Sequence, residues 1–239
     1  MKIANYLIKP FFSILVISSF SLVINAQEIS AVIEDIIVTA EKRTESLQDL
    51  SQAVTVLTSD DLDKKQISTF VDISAIAPGV NVAKNEGFKT VITIRGVGYE
   101  TNQNAIATPS VSYHLDGIYI ASPYSLQTEF MDLERIEVLR GPQGTLFGQN
   151  STGGAINVIT SAPSLEESSS YGDITIGDYS LIKTRASFNR PLSETLAVRA
   201  SFITHKRDGF TDNLSTGQDL DDADSISARI RFLYQPSDT

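Results

Sequence analysis

The sequence predicts a small α+β domain followed by the first antiparallel strands of a transmembrane β-barrel, a barrel left incomplete in this chain. Three observations lead there: an uncharged apolar leader, a central stretch in which helical and strand periods alternate, and C-terminal segments with one apolar and one strongly polar face. Composition sets the outer bounds. Of 239 residues, 41% are hydrophobic and 20% charged, which is globular and too apolar for disorder. The absence of Cys excludes disulfides, Fe–S clusters, Cys zinc sites and a thiol nucleophile, and two His are too few for a His-rich metal site. A net charge of −10 argues against nucleic acid, which needs clustered Lys and Arg.

Residues 1–26 have the layout of a secretory signal peptide. Lys2 and Lys9 flank a short polar start, Phe11 to Ile24 is apolar, and Asn25-Ala26 ends in a small residue before Gln27. That apolar run falls short of the roughly 20 residues that cross a bilayer as a helix. No later stretch is long and apolar enough to cross as a helix, so any membrane entry must be made with strands.

Residues 27–43 contain IEDIIVTAEKR. Ile33, Ile36, Ile37 and Val38 form a β-branched patch bounded by charges. Such a patch can add as a strand to an exposed sheet edge, or serve as the first strand of the domain that follows.

Residues 44–163 read as the α+β domain. Val54, Val56 and Leu57 form a strand, and Thr58-Ser59-Asp60-Asp61 caps a helix. Phe70, Ile73 and Ala77 recur at helical spacing until Pro78-Gly79. Val91, Ile92 and Ile94 form a strand leading into Arg95-Gly96-Val97-Gly98. Val111, Tyr113 and Leu115 alternate up to Asp116-Gly117, with Ile118 and Ile120 after it, a hairpin signal. A last strand pair, Ile136 to Leu139 and Ile156 to Ile159, encloses RGPQGTLFGQNSTGGA. This Gly-rich segment fits no nucleotide loop: Gly148 is followed by Gln149 with no Lys, and Gly96-Val97-Gly98 lacks a third Gly at its offset. No Gly-x-Ser-x-Gly is present. Its glycines serve positive φ angles and close backbone approach.

After the polar linker SLEESSS, residues 164–239 hold four alternating segments, near 171–177, 181–190, 195–206 and 225–235. Ile182, Thr184, Ala186 and Phe188 oppose Lys183, Arg185, Ser187 and Asn189. Leu196, Val198, Ala200 and Phe202 oppose Arg199, Ser201 and His205. Ile226, Ala228, Ile230, Phe232 and Tyr234 oppose Ser227, Arg229 and Arg231. The cations Lys183, Arg185, Arg199, Arg229 and Arg231 would be costly in a dry sandwich core, whereas a barrel faces them inward. Pro191-Leu192-Ser193 and Pro236-Ser237-Asp238 read as short turns, and 207–224 as a long acidic loop. That loop lacks the Gly and terminal Glu of a calcium loop, so it reads as solvated; His205 reads as an ordinary polar residue.

The ordered motifs EDIIVTAEKR, IAPGV, ITIRGVG, SYHLDGIYI and LERIEVLRGPQGTLFGQNSTGGAINVIT resemble those of TonB-dependent outer-membrane receptors along essentially the whole chain. By this resemblance Asp35, Ile36, Ile37, Val38, Thr39 and Ala40 form the TonB box, recruited by TonB and its inner-membrane energising complex. Residues 44–163 form the plug domain, and 164–239 the start of a barrel of 22 strands. Arg95, Glu137 and Arg140 fall in the family's plug motifs and are expected at plug–barrel contacts, with internal plug ion pairs as the other reading. Tyr99, Asn102, Gln103 and Asn104 lie on an expected polar apex that meets cargo.

The implied function is active import across the outer membrane of a Gram-negative bacterium, with plug and TonB box facing the periplasm. A ferric siderophore is the leading cargo, with cobalamin or a carbohydrate as alternatives. Residues 164–239 cannot supply 22 strands of about 10 residues, so the chain reads as a fragment or truncated product. A secreted binding module and a passive porin remain as readings from other classes. No catalytic residue, metal ligand or cofactor is expected.

Overall fold

The computed structural model describes residues 52–85, 89–98 and 109–236, and the backbone of Ile37–Val38 and Glu45–Ser46. The expected leader 1–26, Asp35, Ile36, Thr39, Ala40, Tyr99, Asn102, Gln103 and Asn104 lie outside the described residues. Strand β1 (Ile37–Val38) pairs antiparallel with β2 (Glu45–Ser46), Ile37 opposite Ser46 and Val38 opposite Glu45.

The α+β domain runs β3 (Val54–Thr58), α1 (Ser59–Lys64), α2 (Phe70–Ile73), β4 (Val80–Asn85), β5 (Lys89–Ile94), β6 (Val97–Gly98), β7 (Val111–Leu115) and β8 (Ile118–Tyr119). A 3₁₀ turn (Pro123–Gln127), β9 (Leu133–Arg140), α3 (Gly144–Phe147) and β10 (Gly154–Thr160) complete it. One sheet has the order β3-β9-β10-β7-β8, and a smaller one β4-β5-β6. The first is mixed: β10 runs antiparallel to β9 and parallel to β7. Parallel neighbours need a long connection; here it carries the 3₁₀ turn, β9 and α3.

Local chemistry explains the elements. Thr58 caps α1 in a capping box with Asp61, each side chain bonding the other's backbone N–H. Asp116 and Gly117 both have positive φ, 49° and 80°, the primed turn that matches strand twist in a two-residue hairpin. Helix α2 is a single turn, yet the Ala77 N–H still donates to the Ile73 carbonyl at 2.9 Å. The spaced trio Phe70, Ile73 and Ala77 is therefore buried as a face, with Leu57, Ile136, Val138, Ile156 and Val158. Phe70 packs edge-on against Tyr113 at 4.8 Å and Phe130 at 4.9 Å. In the Gly-rich segment, a Cβ on Gly154 would meet the Leu139 carbonyl at 2.4 Å, so the close approach of β10 to β9 requires glycine. Periodicity gave no sign of α3, which is one turn long and lies within that segment.

The remaining strands are β11 (Ser169–Gly177), β12 (Leu181–Pro191), β13 (Leu196–Arg207), the short pair β14 (Thr211–Asp212) and β15 (Asp219–Leu220), and β16 (Ala223–Tyr234). β11, β12, β13 and β16 form one antiparallel sheet, called the wall below, in the order of the chain. One end has the short 192–195 connection, where the Leu192 and Ser193 N–H groups donate to the Leu196 carbonyl. The other has the 178–180 turn and the long 208–222 loop stiffened by β14-β15. Among the described residues the wall does not close into a barrel. Ile182, Phe188, Ile226, Ile230, Phe232 and Tyr234 project from one face and are exposed, while Ala197, Ser187, Asn189, Ser201 and Ile203 on the other are buried. Among the described residues no helix is long and apolar enough to cross a membrane.

Candidate functional site

The inward face of the wall packs on the α+β domain, and all five inward cations have partners. Lys183 on β12 reaches Glu129 Oε2 at 2.7 Å and donates to Ser68 Oγ at 2.9 Å. Arg185 bridges Asp63 at 2.9 Å and Asp173 on β11 at 2.7 Å. Arg199 on β13 grips Asp132 with two nitrogens, Nε to Oδ2 at 2.7 Å and Nη2 to Oδ1 at 2.5 Å, the fork geometry that makes Arg–carboxylate pairs strong and directional. Ser201 Oγ donates to the same carboxylate. On β16, Arg229 donates to the carbonyls of Met131 and Asp132. Arg231 donates to the Thr160 carbonyl at 2.9 Å and the Ser161 carbonyl at 3.1 Å, with Asp116 at 3.9 Å.

Three short stretches of the domain thus receive most of the wall's donors: 129–132, 160–161 and the α1 region. Core packing, with a break in the extended backbone at Asp132, explains the first. Phe130 and Leu133 are buried in the core, and the Phe130 N–H donates to the Ser68 carbonyl at 2.8 Å. With those two side chains turned inward, Glu129 and Asp132 face the wall. Asp132 is held there by a left-handed backbone, φ 50°. Burial alone would raise its carboxyl pKa, but hydrogen bonds from Arg199 and Ser201, the Arg199 charge and Ser161 together hold it below the ordinary carboxylate value.

The segment that joins the two parts is itself clamped. Asn189 on β12 is buried; its Nδ2 donates to the carbonyls of Ser164 (3.1 Å) and Glu167 (2.7 Å), and its Oδ1 accepts from the Ser164 N–H at 2.9 Å. A cavity of about 310 Å³ lies between domain and wall, lined by Leu62, Asp63, Met131, Tyr171, Arg185 and Ser187 among others.

Arg95, Glu137 and Arg140, expected at plug–barrel contacts, make their described bonds within the domain. Glu137 is fully buried in the middle of the sheet, accepting from Arg135 Nε at 2.8 Å and Asn157 Nδ2 at 3.1 Å. Arg140 Nη2 donates to Thr55 Oγ1, again inside the domain. Arg95 is exposed in the β5-β6 turn with φ 52°, its N–H donating to the Gly79 carbonyl at 2.7 Å. The structure brings Glu137 and Arg140 onto one strand and leaves Arg95 apart. Sequence reasoning identified the wall's cations and missed their acceptors. Acidic Glu129 and Asp132, flanking the apolar pair Phe130-Met131 just before a strand, were the available signal in a chain whose strands carry cations. His205 does more than its sequence position suggests, since its Nδ1 meets Glu129 Oε1. Among the described residues no cluster of three or more His, Asp or Glu side chains is placed to hold a metal.

Residues 46–155 match the family model described as the TonB-dependent receptor plug domain. The chain is 31% identical over 224 residues to the pesticin receptor of Yersinia pestis, covering 90% of the chain and 32% of that protein. It is 28% identical over 208 residues to the ferric enterobactin receptor PirA of Pseudomonas aeruginosa, covering 76% of the chain and 27% of that protein. In structure it is similar to the ferric yersiniabactin uptake receptor FyuA of Y. pestis, with a TM-score of 0.66 and 24% identity over 76% of this chain and 28% of that one. The chain spans about a third of the length of the curated relatives it matches.

Proposed function

Because the chain belongs to the TonB-dependent receptor family, we propose that it is the N-terminal part of an outer-membrane importer whose α+β domain is the plug and whose four long strands open the barrel. The supporting observation is the two-sided wall. One face carries exposed aliphatic and aromatic side chains suited to lipid, and the other carries cations spent on acceptors of the plug. A soluble binding module has no use for the first face, and a passive porin has no plug for the second.

In this reading Asp35 to Ala40 are the TonB box and recruit TonB by strand addition, with Ile37 and Val38 already in extended backbone. The pull displaces the plug from the wall and opens a path. Tyr99, Asn102, Gln103 and Asn104 contact cargo, Arg95 and Arg140 tune plug–barrel contacts beyond the four strands of this chain, and Glu137 serves as the internal plug ion pair with Arg135. The cargo class is a ferric siderophore, in line with relatives that include a ferric enterobactin receptor. The mechanism asks nothing of acid–base or nucleophilic chemistry: the chain's residues bind, hold and release.

The test uses the full-length gene in a Gram-negative host deleted for its own siderophore receptors. Uptake of radioiron carried by catecholate and by phenolate siderophores is measured with and without TonB. Uptake that requires both the receptor and TonB is expected. Receptor-dependent uptake that persists without TonB would overturn active import, and absence of the protein from outer-membrane fractions would overturn the location.

A further inference from the structure

Asp132 combines two features that no other described residue combines. Its φ of 50° lies in the left-handed region, which disfavours residues with a Cβ by about five- to thirtyfold, less for Asp. It also touches two wall strands through different groups: its carboxylate takes Arg199 and Ser201 of β13, and its carbonyl takes Arg229 of β16 at 3.2 Å. The same carbonyl accepts the Ser161 N–H at 3.0 Å, tying in the end of β10. A strained residue persists where its surroundings over-determine it, and such residues mark functional positions. An extended backbone at 132 would turn the carboxylate or the carbonyl away from its strand.

We infer that Asp132 is the positioning residue that registers the plug on the barrel wall, its left-handed backbone aiming the carboxylate at β13 and the carbonyl at β16 together. Every displacement of the plug from this wall breaks both sets of bonds at one residue. The role in transport rests on the import reading above; the role in docking does not.

The experiment uses the full-length receptor in outer-membrane vesicles with a reporter cysteine at Ser187→Cys, a wall position at 5% exposure lining the domain–wall cavity. Maleimide labelling of that thiol reports undocking, and gel mobility before and after heating reports an intact barrel. Asp132→Asn, which tolerates the left-handed region but removes the charge, should speed labelling least. Asp132→Gly keeps the backbone and loses the carboxylate. Asp132→Ala loses both and should label about five- to thirtyfold faster than Asp132→Gly. Equal rates for Ala and Gly would overturn the backbone part, and rates equal to the unmodified residue in all three would overturn the positioning role. Should Asp132→Ala fail to assemble, Arg199→Gln decides the matter: it must speed labelling when residue 132 is Asp and leave it unchanged when residue 132 is Gly. Additive effects would sink the proposal. Labelling requires neither cargo nor TonB, so failure here leaves the import reading standing. Loss of TonB-dependent uptake with the labelling order intact would remove only the import reading.

Discussion

Lys183 and His205 stand directly opposite each other on β12 and β13, and a single plug carboxylate, Glu129, contacts both. One acidic side chain therefore spans two neighbouring strands at the end of the wall nearer the long acidic loop. All three side chains are largely buried, so the carboxylate cannot be traded for water without leaving two basic groups side by side.

Glu129→Ala should weaken plug docking by about 3 kcal/mol, the scale on which removing one partner of a buried ion pair acts. Hydrogen exchange of the β9 and β10 amides in the full-length receptor measures this. Unchanged protection would show that Glu129 is dispensable.

Acid should loosen the plug through Asp132. Its folded pKa lies below the ordinary 3.8, so its contribution is fully present above that value and is lost as pH falls through the lower folded value. Between pH 5 and 8 this group leaves docking unchanged. Maleimide access, taken at each pH relative to a fully exposed reporter cysteine so that the falling thiolate fraction cancels, should rise only at the acid end down to pH 3, and Asp132→Asn should flatten that rise. A rise centred near neutrality and equal in both proteins would assign the effect to other groups.

The exposed apolar face carries its own prediction. Ile230 lies mid-strand on β16 at 66% exposure, so a charge there would be nearly neutral in water. Against lipid, Ile230→Lys should cost about 2–4 kcal/mol and lower the yield of assembled receptor in outer-membrane fractions. Normal assembly would mean that this face does not meet hydrocarbon.

Phe70→Ala tests the plug core. The ring is 1% exposed and packs edge-on against Tyr113 and Phe130. Its loss should cost about 3–5 kcal/mol and lower the plug's melting temperature in calorimetry. Because Phe130 lies between Glu129 and Asp132, docking should weaken as well. A destabilised plug with full docking would separate core from contact.

The wall was legible in the sequence because strand alternation is local and strict: one residue in, one residue out. Lys183, Arg185, Arg199, Arg229 and Arg231 could be named as inward from that pattern alone. Their partners could not. Asp63, Asp116 and the pair Glu129 and Asp132 come from three separate stretches gathered by the mixed sheet, and β10 pairing parallel to β7 is a long-range event that no window of sequence contains. The capping box at Thr58 and the Asp116-Gly117 turn were readable because turn chemistry is set by adjacent residues. Glu137 shows the converse limit. A charged residue within a β-branched run marks a special position, but only the fold reveals that Arg135 and Asn157 satisfy it inside the sheet.

The Asn189 clamp on Ser164 and Glu167 has a kinetic consequence. With the C-terminal end of the plug stapled to β12, a plug pulled off the wall remains a tethered reactant. Its return is a first-order search over a short leash, governed by an effective concentration in the millimolar range and independent of how many receptors the membrane holds. On the import reading proposed above, each opening would then reset itself within one chain.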